Sequence, residues 1–197
     1  MKELPDWRDA EGLRRTLHAL LRTHSFREGD FVLASGRRSS FYVDVRRTAL
    51  TAEGAWCIGH LMAGVLERET PVLEGVGGMT LGADPLVTAT SLAFAMRGRS
   101  VDGFLARKEP KGHGTGQQVE SAGTLRAGSR VVVLDDSMTS GGSTLRAVEA
   151  ARNAGYEVLA TACVVDRCEG ARERLGSEGL PLWSLFTVDE LRMVTPA

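Results

Sequence analysis

Leu13, Leu17, Leu20 and Leu21 recur at three- and four-residue intervals, which predicts an amphipathic helix over 7–24. The next segment, "DFVLASGRRSSFYVDVRR" at 30–47, places apolar residues on either side of a Ser-Gly turn and predicts two short strands. Helical spacing returns in "TAEGAWCIGHLMAGVLERE", with Thr51 as its cap and Glu53 and Glu67 near its ends. "PVLEGVGG" predicts a short strand running into glycines. "DPLVTATSLAFAMRG" predicts a helix with Asp84 at the cap and Pro85 in the first turn. The pattern then gives strand "VDGFLARK", a glycine-rich polar loop over 112–123, strand "RVVVLDD", helix "GSTLRAVEAARNAG" and strand "EVLATACVVDR". A short helix near 170–175, a strand near "LWSLF" and a last turn complete the chain.

Strands alternating with helices of 10–18 residues predict an α/β fold, with a mostly parallel central sheet flanked by helices. Ligands of such sheets collect beyond the carboxyl ends of the strands. The length of 197 residues suits one domain, 1–197, with a full core.

A net charge of -1 gives no global attraction to nucleic acid or membrane, so an anion site must be a local cluster. Cys57, Cys163 and Cys168 form no C-x-x-C pair, which argues against a zinc knuckle or a disulfide framework. No apolar run reaches about 18 residues, and "MKELPDWRDAEG" lacks the apolar core of a secretory signal, so a cytoplasmic protein is expected. Among 24 basic residues only Lys2, Lys108 and Lys111 are lysines, and two of these sit in "ARKEPKGHG" beside His113.

The chemistry concentrates in 131–149. Val131 to Leu134 carry Asp135 and Asp136 to the carboxyl end of a strand, where carboxylates accept hydrogen bonds from ligand hydroxyls such as those of ribose. The turn that follows, Ser137, Met138, Thr139, Ser140, Gly141, Gly142 and Ser143, presents amides at a helix N-terminus, where the dipole favours an anion. Its glycines admit a phosphate close to the backbone, and Thr139, Ser140, Ser143 and Thr144 add hydroxyl donors. Acids for a sugar beside donors for its phosphate make a ribose-phosphate cradle. A capped helix after a buried strand is the plainer explanation, but adjacent acids followed by T-S-G-G-S exceed what capping needs. No G-x-x-x-x-G-K-[ST] is present, and "GVGGMTLG" fails the G-x-G-x-x-G spacing.

"VVVLDDSMTSGGST" resembles the phosphoribosyl-diphosphate (PRPP) motif of the type I phosphoribosyltransferases. "FLARKEPKGHGTGQQVES", 104–121, is similar to the catalytic loop of the orotate phosphoribosyltransferases within that family. "FVLASGRRSSFYVDVR" resembles their N-terminal hood, and "VVDR" at 164–167 their orotate-side strand end. The matches run in the family's order over about 30–170.

The resemblance implies the type I phosphoribosyltransferase fold, with a small hood built from about 1–50 and the C-terminal segment. It implies transfer of 5-phosphoribosyl from PRPP to orotate, in pyrimidine nucleotide synthesis. Asp135 and Asp136 would steady the sugar, and 137–143 would hold its 5'-phosphate. Arg107, Lys108, Lys111 and His113 would stabilise the departing diphosphate, since cations belong where charge develops. Lys111 and His113 join the two aspartates as the catalytic set, while Tyr42, Thr139 and Arg167 would meet orotate. Asp166 is an alternative ion-pair partner for Arg167. Magnesium would arrive on PRPP without a direct protein ligand. The resemblance also implies a homodimer with shared active sites and no nucleic-acid or membrane partner.

The match departs at two places. Many members carry a lysine before the Ser-Gly of the hood, where this chain has Ala34, leaving Arg37 or Arg38 to supply charge. Many also carry one after the third strand, where "GGMTLGADP" offers the amides of Gly77, Gly78 and Thr80. A phosphoribosyltransferase for another base, or a non-catalytic PRPP-binding regulator, therefore stands beside the orotate reading.

Overall fold

The computed structural model describes residues 3–32, 36, 38–109 and 118–193. Helix α1, Ala10–Leu20, starts where the Asp9 carboxylate accepts the Gly12 amide, and it buries Leu13 and Leu17. It loosens into a π-helical turn, Leu21–Ser25, before strand β1, Phe26–Val32. Strand β2, Arg38–Val43, returns antiparallel with Phe26 opposite Val43. The hairpin thus starts at Phe26, four residues before the expected 30, because Phe26 and Phe41 both enter the core.

The short helix α2, Arg46–Ala49, leads to α3, Ala52–Glu69, whose expected Thr51 cap accepts the Gly54 amide. Strand β3, Gly75–Met79, and helix α4, Asp84–Met96, follow. Here the cap is Ala83, already helical, so Asp84 is the first helical residue rather than the cap, with Pro85 beside it in the first turn. Strand β4, Asp102–Ala106, pairs with β5, Val119–Ser121, a strand inside the segment expected to be loop. Strand β6, Arg130–Met138, helix α5, Gly142–Asn153, and strand β7, Glu157–Asp166, form the centre. Helix α6, Ala171–Ser177, strand β8, Leu182–Thr187, and helix α7, Val188–Arg192, close the chain.

The main sheet has the order β5-β4-β3-β6-β7-β8, parallel except at β5. This is the expected α/β architecture. Helices on both faces explain why β6 reads as an unbroken apolar run. Val132 and Leu134 enter the core that also holds Ile58, Leu86 and Phe94, while Val131 and Val133 enter the opposite one with Ala147 and Leu175. β6 does not stop at the acids: pairing with β7 continues to Met138 opposite Asp166.

Gly77 and Gly78 have no room for a side chain. An added Cβ would fall on the Phe104 ring at Gly77 and on the Leu134 carbonyl at Gly78. The two ends of the described chain are tied together. Arg14 donates to the Leu185 carbonyl and to Glu190, His18 bonds the Glu190 carbonyl, and Arg22 donates to the Leu191 and Met193 carbonyls. Arg192 reaches across to Ser40 on the hairpin.

Candidate active site

At the carboxyl end of β6 the two acids separate. Asp135 is buried (7% exposed), and Oδ2 accepts the Ser143 hydroxyl at 3.0 Å and the Thr144 hydroxyl at 2.7 Å. Its Oδ1 accepts the Asp136 amide at 3.0 Å. The Ser143 and Thr144 hydroxyls, expected to serve a phosphate, thus tie the strand to the first turn of α5 instead. Asp136 turns the other way, accepting the Ser137 amide at 2.7 Å and lying against Gly82. Burial first, and then the neighbouring charge of Asp135, push the Asp136 carboxyl up to about 6; the Ser137 amide and Arg46 oppose the rise.

A cleft of about 700 Å³ opens here. Asp135, Asp136 and Ser143 form one wall, Met79–Gly82 and Arg46 a second, and Arg107, Lys108 and Glu109 a third. The Thr80–Leu81 peptide in the second wall is cis. The Thr80 amide, expected to be available, donates to the Ala106 carbonyl at 2.9 Å, so it belongs to the sheet. Arg107 is held to Glu120 at 3.0 Å, and its carbonyl and amide bond the side chain and carbonyl of Gln118. Lys111 and His113 lie outside the described residues, as do Ala34 and Arg37.

From Thr139 to Ser143 the chain turns into α5 through Gly141, whose φ of 72° is a left-handed conformation that glycine adopts without a Cβ penalty. The first-turn amides of a helix have no partner within it, so this bend keeps donors and a positive dipole end for an anion. Met138 is buried; its carbonyl accepts the Arg167 amide at 2.9 Å, which fixes the start of the bend against the end of β7. The Ser140 carbonyl takes the Arg174 guanidinium at 3.4 Å.

Tyr42 and Arg167 are not on the cleft walls. Arg167 is buried, its guanidinium 4.7 Å from the centre of the Phe41 ring. Its partner is Glu169, with Nε 2.9 Å from Oε1, and not Asp166, which holds Arg172 at 3.1 Å and the Cys168 amide at 2.8 Å. Arg167 Nη2 lies 2.8 Å from the same Glu169 oxygen but without hydrogen-bond geometry, leaving that buried donor unsatisfied. Tyr42 points to the opposite face of β2 from Phe41, 5.8 Å from the Phe31 ring and well exposed.

The sequence did not single out Arg46, Leu81, Gly82 or Glu109. Arg46 sits one residue past "YVDV", in an Arg-Arg pair that reads as surface charge. The one available signal was its place as the last residue of the hood stretch "FVLASGRRSSFYVDVR". Among the described residues no three His, Cys, Asp or Glu side chains group as a metal site, and no helix is long and apolar enough to cross a membrane.

The phosphoribosyl transferase domain model matches residues 85–179. A Synechocystis orotate phosphoribosyltransferase is 43% identical over 182 residues, covering 92% of this chain and 90% of the relative. An Aquifex aeolicus orotate phosphoribosyltransferase is 42% identical, covering 90% and 97%. The crystal structure of Mycobacterium tuberculosis orotate phosphoribosyltransferase in complex with PRPP superposes with a TM-score of 0.75 at 36% identity, covering 92% of this chain and 99% of that one.

Proposed function

The chain belongs to the orotate phosphoribosyltransferase family, and on that premise we propose how its cleft moves a 5-phosphoribosyl group from PRPP to the ring nitrogen of orotate. The products are orotidine 5'-phosphate and diphosphate, in the synthesis of pyrimidine nucleotides. The bond from the sugar's anomeric carbon to the diphosphate oxygen breaks, and a bond from that carbon to the orotate nitrogen forms. The nitrogen of orotate is acidic enough that no strong base is needed.

Charge dictates the division of labour. The sugar becomes cationic as the diphosphate leaves, so Asp136, and Asp135 behind it, stand where positive charge grows. The 137–143 bend holds the 5'-phosphate through its amides and hydroxyls. Arg107 and Lys108, with Lys111 and His113 from the same loop, neutralise the leaving group. Closing that loop over the substrates would also keep water from the activated sugar. Magnesium carried in on PRPP would offset the charge of the diphosphate. The donor set fits a hydrated ion brought in on the substrate, because Asp135 is already engaged by two hydroxyls, which leaves Asp136 as the freer carboxylate on the wall. Orotate would meet Thr139 and Arg167, whose buried Nη2 would turn from Glu169 to its carboxylate; Tyr42, on the face of β2 away from Arg167, would meet it only by moving.

One observation carries the reading: two adjacent acids at the end of β6 face Arg107 and Lys108 across one cleft, beside an amide-lined bend. The test follows orotate absorbance with PRPP and magnesium, beside uracil, adenine and xanthine. Consumption of orotate alone is expected; use of another base with no loss of orotate would overturn it. Lys111→Ala should abolish turnover, whereas a PRPP-binding regulator would have none to lose.

A cytoplasmic homodimer completes the proposal. Leu50, Leu92 and Met96 are exposed around an apolar groove of about 570 Å³ floored by Trp56 and Ala89, a patch that a second copy would cover. Leu81, exposed on the wall of the active cleft, would bring that copy to the site. Size-exclusion chromatography with light scattering reads the outcome: a monomer at assay concentration refutes the shared site.

A further inference from the structure

We infer that Arg46 binds the diphosphate end of PRPP, an inference that rests on the reading of the cleft given above. The walls set three acids, Glu109, Asp135 and Asp136, against three cations, Arg46, Arg107 and Lys108. A substrate with several negative charges on its diphosphate meets a balanced wall only with Arg46 in place. Neither Ala34 nor the 77–84 segment supplies a basic side chain. Arg46 is therefore the cation that the chain provides on the side of the 79–82 loop.

Its mounting is that of a binding group. Nε and Nη2 fork onto the two Asp44 oxygens at 2.9 and 3.3 Å, and Asp44 is largely buried. That fork fixes the guanidinium plane and leaves Nη1 with no hydrogen bond among the described residues. Underneath, α2 is anchored by Thr48, whose hydroxyl lies 2.6 Å from the Ser25 hydroxyl and donates to the Leu20 carbonyl. A guanidinium held by a rigid neighbour loses little freedom when it meets phosphate oxygens. The 5'-phosphate is served by the bend at 137–143, so the diphosphate is the anion left for this wall.

Isothermal titration of the full chain with magnesium diphosphate, and separately with ribose 5-phosphate, tests the assignment. Arg46→Gln should weaken diphosphate roughly ten- to a hundredfold, the range of one charge-assisted hydrogen bond, and leave ribose 5-phosphate unchanged. Arg46→Lys should recover part of the loss; where Arg46→Gln does not fold, Arg46→Lys should still be severalfold weaker for diphosphate only. Unchanged diphosphate affinity, or equal weakening of both ligands, overturns the role of Arg46. A wild-type chain that binds neither ligand overturns the reading of the cleft itself, and the inference with it.

Discussion

Replacing Asp136 with Asn should stabilise the protein while disabling it. Asp136 is packed under the 79–82 loop and beside Asp135, and these surroundings raise its carboxyl from the ordinary 3.8 to about 6. An acid whose pKa rises on folding favours its protonated form in the native state. Its contribution to stability is complete below pH 3.8 and is lost as pH rises through 6. A rise of roughly two units at 1.36 kcal/mol each puts the burden at about 3 kcal/mol above pH 7. An amide carries no charge and escapes that burden.

Urea unfolding of wild type and Asp136→Asn should therefore differ by about 3 kcal/mol in favour of the variant at pH 8. The difference should shrink as pH falls below 6 and vanish only below about pH 3, where the wild-type carboxyl is protonated in both states. In the same preparation kcat should fall steeply, because the group proposed to face the cationic sugar is gone. A variant no more stable than wild type at pH 8 would refute the reasoning, since it would mean that the folded protein holds the carboxylate at no cost.

Thr144→Val removes the 2.7 Å bond to the buried Asp135 carboxylate and should cost about 1.5–3 kcal/mol in urea unfolding, with Thr144→Ser near wild type. Gly78→Ala drives a Cβ onto the Leu134 carbonyl at the centre of the sheet; strain of about 1–3 kcal/mol or more should appear as a lower Tm. Gly98→Ala, in open space at φ 76°, should cost only about 1 kcal/mol by the same measurement. Arg167→Lys keeps the charge but not the fork, so the KM for orotate should rise at least tenfold with the KM for PRPP little changed.

The alternation of strands and helices was legible because each element carries its own period, and Thr51, Pro85 and the apolar run of 131–134 sit where those periods change. What escaped depended on partners distant in sequence. Val119–Ser121 is a strand only because β4 lies beside it; three residues have no period of their own. Gly77 looked like a ligand loop, but its missing side chain makes room for Phe104. The burial of Arg167 is decided by Phe41, on a hairpin far upstream. Arg46 was hidden for the opposite reason: an exposed arginine has no pattern, and only the fold puts it opposite Asp136. The Asp-Asp pair and the bend after it were readable since both chemistries lie within one continuous stretch.

Adjacency itself explains why two acids of one type behave differently. Side chains alternate across a strand, so Asp135 shares a face with Val131 and Val133, toward α5, and Asp136 shares one with Val132 and Leu134, toward Ala83 and Gly82. The first acid therefore meets Ser143 and Thr144 and anchors the bend; the second meets Gly82 of the facing wall. Opposite stability effects follow from this parity. Asp135→Asn trades an oxygen that takes two hydroxyls for an amide, and it should lose about 1.5–3 kcal/mol where Asp136→Asn gains. Weakened affinity for ribose 5-phosphate should accompany that loss, because the bend is no longer held by its first turn. If both variants shift stability in the same direction at pH 8, the two faces of β6 do not divide anchoring from catalysis.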